Sequence, residues 1–259
     1  MSIKVLADYH THTTYSHFNH GKGSVLENAL QAQKLGLQEI AITDHGFNHF
    51  MYGIKRREIP SLRADIEKAE QVTGVHIYLG IEANLISSKG DIDIKQKDLE
   101  YVDFIIMGYH KIARAKNIRE WFHFILPNMF YKRAKKRKGK IINMNTKSYI
   151  LALQKYPIDI ISHLNHEARV DCGQVAQMCA KTNTYLELNG KRRHFNQDDV
   201  DAMLKTSVQF VLNSDAHTPD RIADNQVGEM VANKYGIPYD RIVNINGLIK
   251  VKNKKDFVI

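Results

Sequence analysis

Histidine and carboxylate side chains recur along this chain in a pattern that suits metal binding. Thirteen histidines occur in 259 residues. Six of them, His10, His12, His45, His110, His163 and His217, lie at or just past the ends of apolar runs, together with Glu82 and Asp215. Imidazole nitrogen and carboxylate oxygen are ligands of zinc, iron and manganese, and no thiol stands among them. A single ion takes three or four protein ligands, so this set implies two or three divalent ions. His10 and His12 are two apart, which on a strand sends both side chains to one side and lets them chelate one ion. Glu82 carries two oxygens and suits a bridge between ions. Cations held close together lower the pKa of a shared water toward neutrality and offset charge on an anionic substrate, and both effects favour phosphoester hydrolysis. His76, inside an apolar run, and His123, in an aromatic stretch, read instead as packing or surface residues.

Such scattered residues need a fold that gathers them. Residues 3–9, 39–43, 75–81, 102–108, 158–162, 185–188 and 208–213 are apolar runs of strand length, each followed by polar residues or glycine. Helix-period stretches lie between them. Ser24 and Glu27 form a capping-box pattern that opens a helix stopping at Gly36. Further helices are expected from Pro60 or Ser61 to Gly74, and over Thr146 to Lys155, Gly173 to Thr182, Asn196 to Lys205 and Pro219 to Tyr235. Near-continuous apolar strands alternating with helices specify an α/β fold with a parallel sheet covered on its outside. Seven repeats without a linker favour one barrel-like domain over residues 1–259. In a parallel barrel every strand's C-terminal end points to one face, so the terminal imidazoles and carboxylates converge there.

Composition narrows the class. Hydrophobic residues make up 43% and charged residues 25%, which is globular usage and excludes a disordered chain. No apolar run approaches the ~18 residues of a membrane span, and the first ten residues lack the apolar stretch of a signal peptide, so a soluble cytoplasmic protein is expected. Cys172 and Cys179 lack C-x-x-C spacing and read as reduced core thiols. The formal charge is +9, yet residues 121–158 hold nine Lys or Arg and no acid, and the remaining basic and acidic residues balance at 28 each. The excess is local, which argues against a surface that coats nucleic acid.

Taken in order, Asp8-Tyr-His10-Thr-His12, Thr43-Asp44-His45, Gly80-Ile-Glu82, Gly108-Tyr-His110, Ser162-His163 and Ser214-Asp215-Ala-His217 resemble the motifs of the polymerase and histidinol phosphatase (PHP) domain family. The resemblance implies a distorted seven-stranded (β/α)7 TIM-like barrel with a trinuclear metal centre that hydrolyses phosphoesters. It implies metal-ligand roles for His10, His12, His45, Glu82, His110, His163, Asp215 and His217. One more ligand is expected from the loop after the first motif, where His20 fits the family spacing and His17 is the alternative. Asp215, His217 and Glu82 are the expected catalytic groups. Arg169 and Arg192 resemble the phosphate-clamping arginines of histidinol-phosphatase-like members, with Lys22, His166, Arg193 and His194 as further basic candidates. Asp8 and Asp44 are expected to accept hydrogen bonds that orient imidazoles.

Between His110 and His163 the chain is longer than a minimal barrel requires, which places an insertion at about residues 114–145. It opens with Trp121-Phe-His-Phe-Ile-Leu126 and continues into the basic run from Lys132 to Lys140. A lid over the metal face is the expectation; an interfacial segment on anionic lipid, a nucleic-acid contact, or a packed helix with a solvated basic tail are the alternatives. The expected activity is that of a metal-dependent phosphomonoesterase, in which a metal-bound hydroxide attacks a small phosphorylated metabolite such as histidinol phosphate. Zinc, manganese or iron would serve. Rival readings are a phosphodiesterase or nuclease, an amidohydrolase-type barrel, and a non-catalytic metal-binding module.

Overall fold

A computed structural model describes residues 3–259; the first two residues of the expected domain lie outside it. Seven parallel strands follow one another in sequence order: β1 (Ala7–Thr11), β2 (Glu39–Ile42), β3 (His76–Asn84), β4 (Phe104–Gly108), β5 (Ile160–Ile161), β6 (Tyr185–Asn189) and β7 (Phe210–Asn213). Helices fill the connections on the outside, so the expected α/β barrel is the fold observed.

Alternation along the strands explains both the core and the site. Ile40, Ile42, Leu79, Ile81, Ile105, Met107, Leu186 and Leu212 pack outward beneath the helices. Tyr9, Ala41, Phe104, Ile106, Ile160, Tyr185 and Val211 form a second cluster inside the barrel. Stepping by two from these inner residues, and from Tyr78 on β3, gives Thr43 and His45 just past β2, Gly80 and Glu82 on β3, Gly108 at the end of β4 with His110 just past it, Glu187 and Asn189 on β6, and Asn213 at the end of β7. The interior is therefore apolar below and ligand-bearing above. β1, β5 and the end of β7 depart from this rhythm, the last because Asp215 takes left-handed backbone, φ 54°. A register shift between Asp8 and Thr11 interrupts β1. At the end of β5, His163 has left-handed backbone, φ 27°, which turns its imidazole inward after Ser162.

Several boundaries differ from the sequence expectation. β1 begins at Ala7 rather than Ile3, because Leu6 donates its N–H to Asn244 instead of joining the sheet. β3 runs on through Asn84, its polar end kept in the ladder by pairing with β4. The first helix, Val25–Leu35, has the expected Ser24–Glu27 box and a left-handed Gly36 at its end. Lys138–Lys155 forms one helix, starting eight residues ahead of Thr146, since lysine and its neighbours sustain a helix that their lack of apolar period concealed. The helix expected from Pro219 is confined to Gln226–Tyr235, because Ala223 takes left-handed backbone, φ 58°.

The seam between β1 and β7 is bridged rather than paired throughout. Near the top, His12 N–H donates to Ala216 O at 2.8 Å and Ala216 N–H to His10 O at 3.2 Å. Lower down, Asn244 spans the gap: its amide donates to Ala7 O at 2.9 Å and Leu212 O at 2.6 Å, and its carbonyl accepts from Leu212 N–H at 2.9 Å. Ile249 then enters the inner cluster, and Lys252 and Lys254 meet the buried Asp159 on the barrel floor. Cys172 and Cys179 are buried and unpaired, and burial pushes the Cys179 thiol up to about 12. Replacing Asn244 by Ala strips partners from three buried backbone groups, so urea denaturation should show a loss of about 3 kcal/mol; an unchanged midpoint would mean the seam does not depend on it.

Candidate metal centre

Glu82 is 1% exposed and sits among imidazoles. Its Oε1 lies 2.8 Å from His163 Nε2, 3.3 Å from His110 Nε2 and 3.5 Å from His10 Nε2. Its Oε2 lies 2.8 Å from His45 Nδ1 and 3.8 Å from His12 Nε2. Asp215 Oδ1 approaches His217 Nδ1 at 3.4 Å and His12 Nε2 at 3.6 Å. His20 Nε2 is 2.9 Å from His217 Nε2. Three overlapping groups have donor atoms close enough to share an ion: His12, His45 and His217; His10, His12 and Glu82; and His45, Glu82 and His110. Gly108 permits this crowding. A Cβ there would fall 2.7 Å from His163 Cε1 and 2.6 Å from Ser162 Oγ.

The imidazoles are held from behind. His10 Nδ1 donates to Glu187 at 2.7 Å, His110 Nδ1 to Asn84 at 2.8 Å, and His217 Nδ1 to the Asp215 carbonyl at 2.9 Å. His12 Nδ1 meets Ser16 Oγ at 3.3 Å, and that hydroxyl donates to Asp44 at 2.6 Å. In each case Nδ1 is occupied and the Nε2 lone pair faces the centre, as a ligand nitrogen must. Asp8 and Asp44 thus differ from expectation. Asp8 accepts from backbone N–H groups of His10, Ser214 and Ala223, and from the Ser214 hydroxyl, so it fixes the seam rather than a ring. Asp44 reaches His12 only through Ser16. The direct carboxylate partner of a ring is Glu187.

These residues fit cations on two independent grounds. First, His10 Nε2 and His12 Nε2 face each other at 3.2 Å, and His45 Nδ1 lies close to Glu82 without the alignment of a hydrogen bond; both His45 nitrogens and Glu82 Oε2 are buried without a hydrogen-bond partner. Buried polar atoms left in this way are costly unless positive charge lies beside them. Second, the carboxylates favour positive charge at His10, in the middle of the cluster, whereas burial and neighbouring imidazoles hold His12 and His45 below the usual histidine value. Burial opposes protonation of His10, yet Glu187, Glu82 and Asp215 raise its pKa well above the usual histidine value. Burial likewise opposes ionisation of Glu82, but His110, His10 and His45 hold it well below the usual carboxylate range.

Above the cluster lies a cavity of about 200 Å³. Lys191, Arg192, His166 and Glu167 form part of its wall with Ile112 and Tyr52. Of the expected basic groups, Arg192 and His166 line it. Arg169 does not: its guanidinium is turned to Asp199, 3.7 Å away, and Lys22 also lies outside. His17 pairs with Glu58 at 2.9 Å, leaving His20 as the histidine of that loop inside the cluster. His194 is buried beside His163 and His166, while Arg193 contacts Met230. No residue of the 114–145 insertion lines the cavity, which corrects the expectation of a lid. Lys191, His49 and Tyr52 escaped the sequence reading. Tyr52 stacks on His20 at 3.8 Å between centroids and His49 on His45 at 4.4 Å, contacts between rings that no spacing rule announces. Lys191 sits immediately before Arg192, with Nζ 3.9 Å from Asp215 Oδ1. As expected, His76 and His123 lie at the surface, partnered by Glu70 and the Arg119 carbonyl. Glu187→Gln keeps the shape but removes the charge behind His10, and should weaken metal binding or turnover about 10- to 100-fold in a metal titration paired with an assay; wild-type behaviour in both would deny that role.

A PHP domain model matches residues 8–195. Among curated proteins, a probable phosphatase of Tolumonas auensis is 26% identical over 256 residues, spanning 93% of this chain and 90% of the relative. A probable phosphatase of Thermoanaerobacter sp. is also 26% identical, over 270 residues, spanning 98% and 97%. Among solved structures, the histidinol phosphate phosphatase of Lactococcus lactis, complexed with zinc, L-histidinol and phosphate, superposes with a TM-score of 0.60 at 16% identity, covering 98% of this chain and 99% of that one. A putative histidinol phosphatase of Listeria monocytogenes gives 0.56 at 13% identity, covering 84% and 97%. With its barrel, its ordered strand-end motifs and a family match over most of its length, the chain belongs to the PHP domain family.

Proposed function

We propose that this protein is a metal-dependent phosphatase that hydrolyses a small phosphorylated metabolite. The observation that carries the reading is the placement of a buried imidazole and carboxylate cluster, centred on Glu82, directly beneath a cavity walled by Lys191 and Arg192. His10, His12, His20, His45, Glu82, His110, His163, Asp215 and His217 would hold two or three divalent ions. Such ions supply an acidified water and neutralise charge on phosphoryl oxygens.

The chain's own residues do the rest. Lys191 and Arg192 draw the phosphate into the cavity, and the planar guanidinium suits two phosphoryl oxygens at once. His49 accepts the Tyr52 N–H at Nδ1, which leaves Nε2–H as a donor toward the cavity. Burial, aided by His45, holds its pKa down to about 2, so it donates as a neutral ring. Lys191, with Nζ 3.9 Å from Asp215 Oδ1 and beside His217, is the cavity group that brings a proton donor next to these ligands. A cavity of about 200 Å³ is smaller than the ~300–1,000 Å³ pockets of drug-sized ligands, which supports a compact monoester over a polymer. Histidinol phosphate is the first substrate to offer, given the related fold solved with L-histidinol and phosphate.

The test offers histidinol phosphate, other phosphomonoesters, phosphodiesters, single-stranded DNA and amides to protein loaded with manganese, iron or zinc. Turnover of monoesters supports the reading. Turnover of diesters alone would replace it with a phosphodiesterase, and metal binding without turnover would leave a non-catalytic module. Glu82→Ala should abolish turnover and reduce bound metal, whereas His76→Ala should do neither. Arg192→Ala should raise KM about 10-fold or more with a smaller change in kcat, the mark of a phosphate contact.

A further inference from the structure

We propose that the insertion after β4 is a docking surface for an anionic lipid bilayer. Residues 118–129 form one helical segment with a π-turn at Trp121–Ile125. One side of it is committed to the protein: Phe124 and Ile125 join the core, Glu120 accepts from Ser88 N–H, and Asn128 exchanges amide hydrogen bonds with Asn145. The other side exposes several large apolar residues beside Arg119 and His123. Ile118 is 72% exposed, Phe122 53%, Met129 50% and Phe130 48%, with Trp121 beside them. Large apolar side chains exposed together in this way mark a contact surface. Phe122, Leu126, Phe130, Ile141 and Met144 also line an open groove rimmed by Arg137 and Lys140.

Charge identifies the occupant. Lys132, Arg133, Lys135, Lys136, Arg137, Lys138 and Lys140 follow the apolar segment, all exposed, and none forms an ion pair among the described residues. Four of them crowd the start of helix Lys138–Lys155, whose first turn has no acidic residue and whose N-cap makes no side-chain bond. Cations at that end oppose the helix dipole, so the arrangement costs stability in isolation and is relieved by an external polyanion. A bilayer containing anionic lipid meets both halves together: headgroup phosphates take the cations, and the acyl boundary takes Trp121, Phe122, Met129 and Phe130. Nucleic acid would take the charge and could stack on the rings, but would leave Ile118 and Met129 in water. Since the insertion contributes nothing to the metal cavity, docking leaves that cavity's lining intact.

Trp121 is the only tryptophan of the chain and reports on the contact directly. The full-length protein is sedimented with vesicles of equal parts phosphatidylglycerol and phosphatidylcholine, and with phosphatidylcholine alone, while Trp121 emission is recorded. Binding to the anionic vesicles with a blue shift is expected. Lys135→Glu with Arg137→Glu should weaken it about tenfold or more. Phe122→Ser with Phe130→Ser should remove the blue shift and weaken binding, although every cation is retained. Circular dichroism establishes that both surface variants are folded. Absence of vesicle binding would overturn the proposal. So would tight binding of a DNA oligonucleotide in its place without a spectral change, or a serine variant that binds vesicles as wild type does.

Discussion

The structure depends on keeping one carboxylate ionised at the top of an apolar barrel. Glu82 has almost no access to water, and burial by itself would drive it neutral; His110, His10 and His45, at the ends of β4, β1 and β2, hold it charged. Three of the rings around the centre have a partner that fixes the tautomer: Glu187 behind His10, Asn84 behind His110 and the Ser16–Asp44 pair behind His12. A carboxylate in the middle thus obliges a shell of histidines, and the histidines oblige a second shell of acceptors. The barrel supplies enough converging strand ends to provide both layers at one place.

Much of this was legible in the sequence because both signals are local. Apolar runs of strand length followed by an imidazole or carboxylate mark the strand ends whether or not their exact limits are known. The step-by-two rule then carries the side-chain direction from Ala41 to His45 and from Phe104 to His110 without further information. Where the rule breaks, at the bulge in β1 and the left-handed turns at His163 and Asp215, the motif still announced the residue but not its geometry. The acceptors behind the rings were harder to read. Glu187 was visible as a strand-end carboxylate, yet only coordinates reveal that it faces His10, 177 residues away. Asn84 is one amide among many until its pairing with His110 is seen.

Residues on loops were the least legible. Arg169 and Arg192 look alike in sequence, each a few residues beyond a strand-end motif. They part because Asp199, on helix Gln197–Leu204, draws one guanidinium away from the cavity. The insertion misled for a related reason. Its basic run suggested electrostatic work over the phosphate site, whereas the Asn128–Asn145 amide pair and the burial of Phe124 fasten it away from the cavity. Long-range pairing of single side chains decides such cases, and periodicity carries no trace of it.

The Asn244 bridge has a consequence for biosynthesis. Strand β1 precedes its partners in the chain: its free edge is met by Asn213, Ser214, Ala216 and Asn244, and the floor beneath it by Ile249 to Lys254. While the ribosome is still at work, Tyr9 and the first histidine motif lie on an open sheet edge, exposed to the pairing errors that such edges invite. Closure therefore waits for the segment from Asn213 to Lys254, and with it the meeting of His10 and His12 with Asp215 and His217.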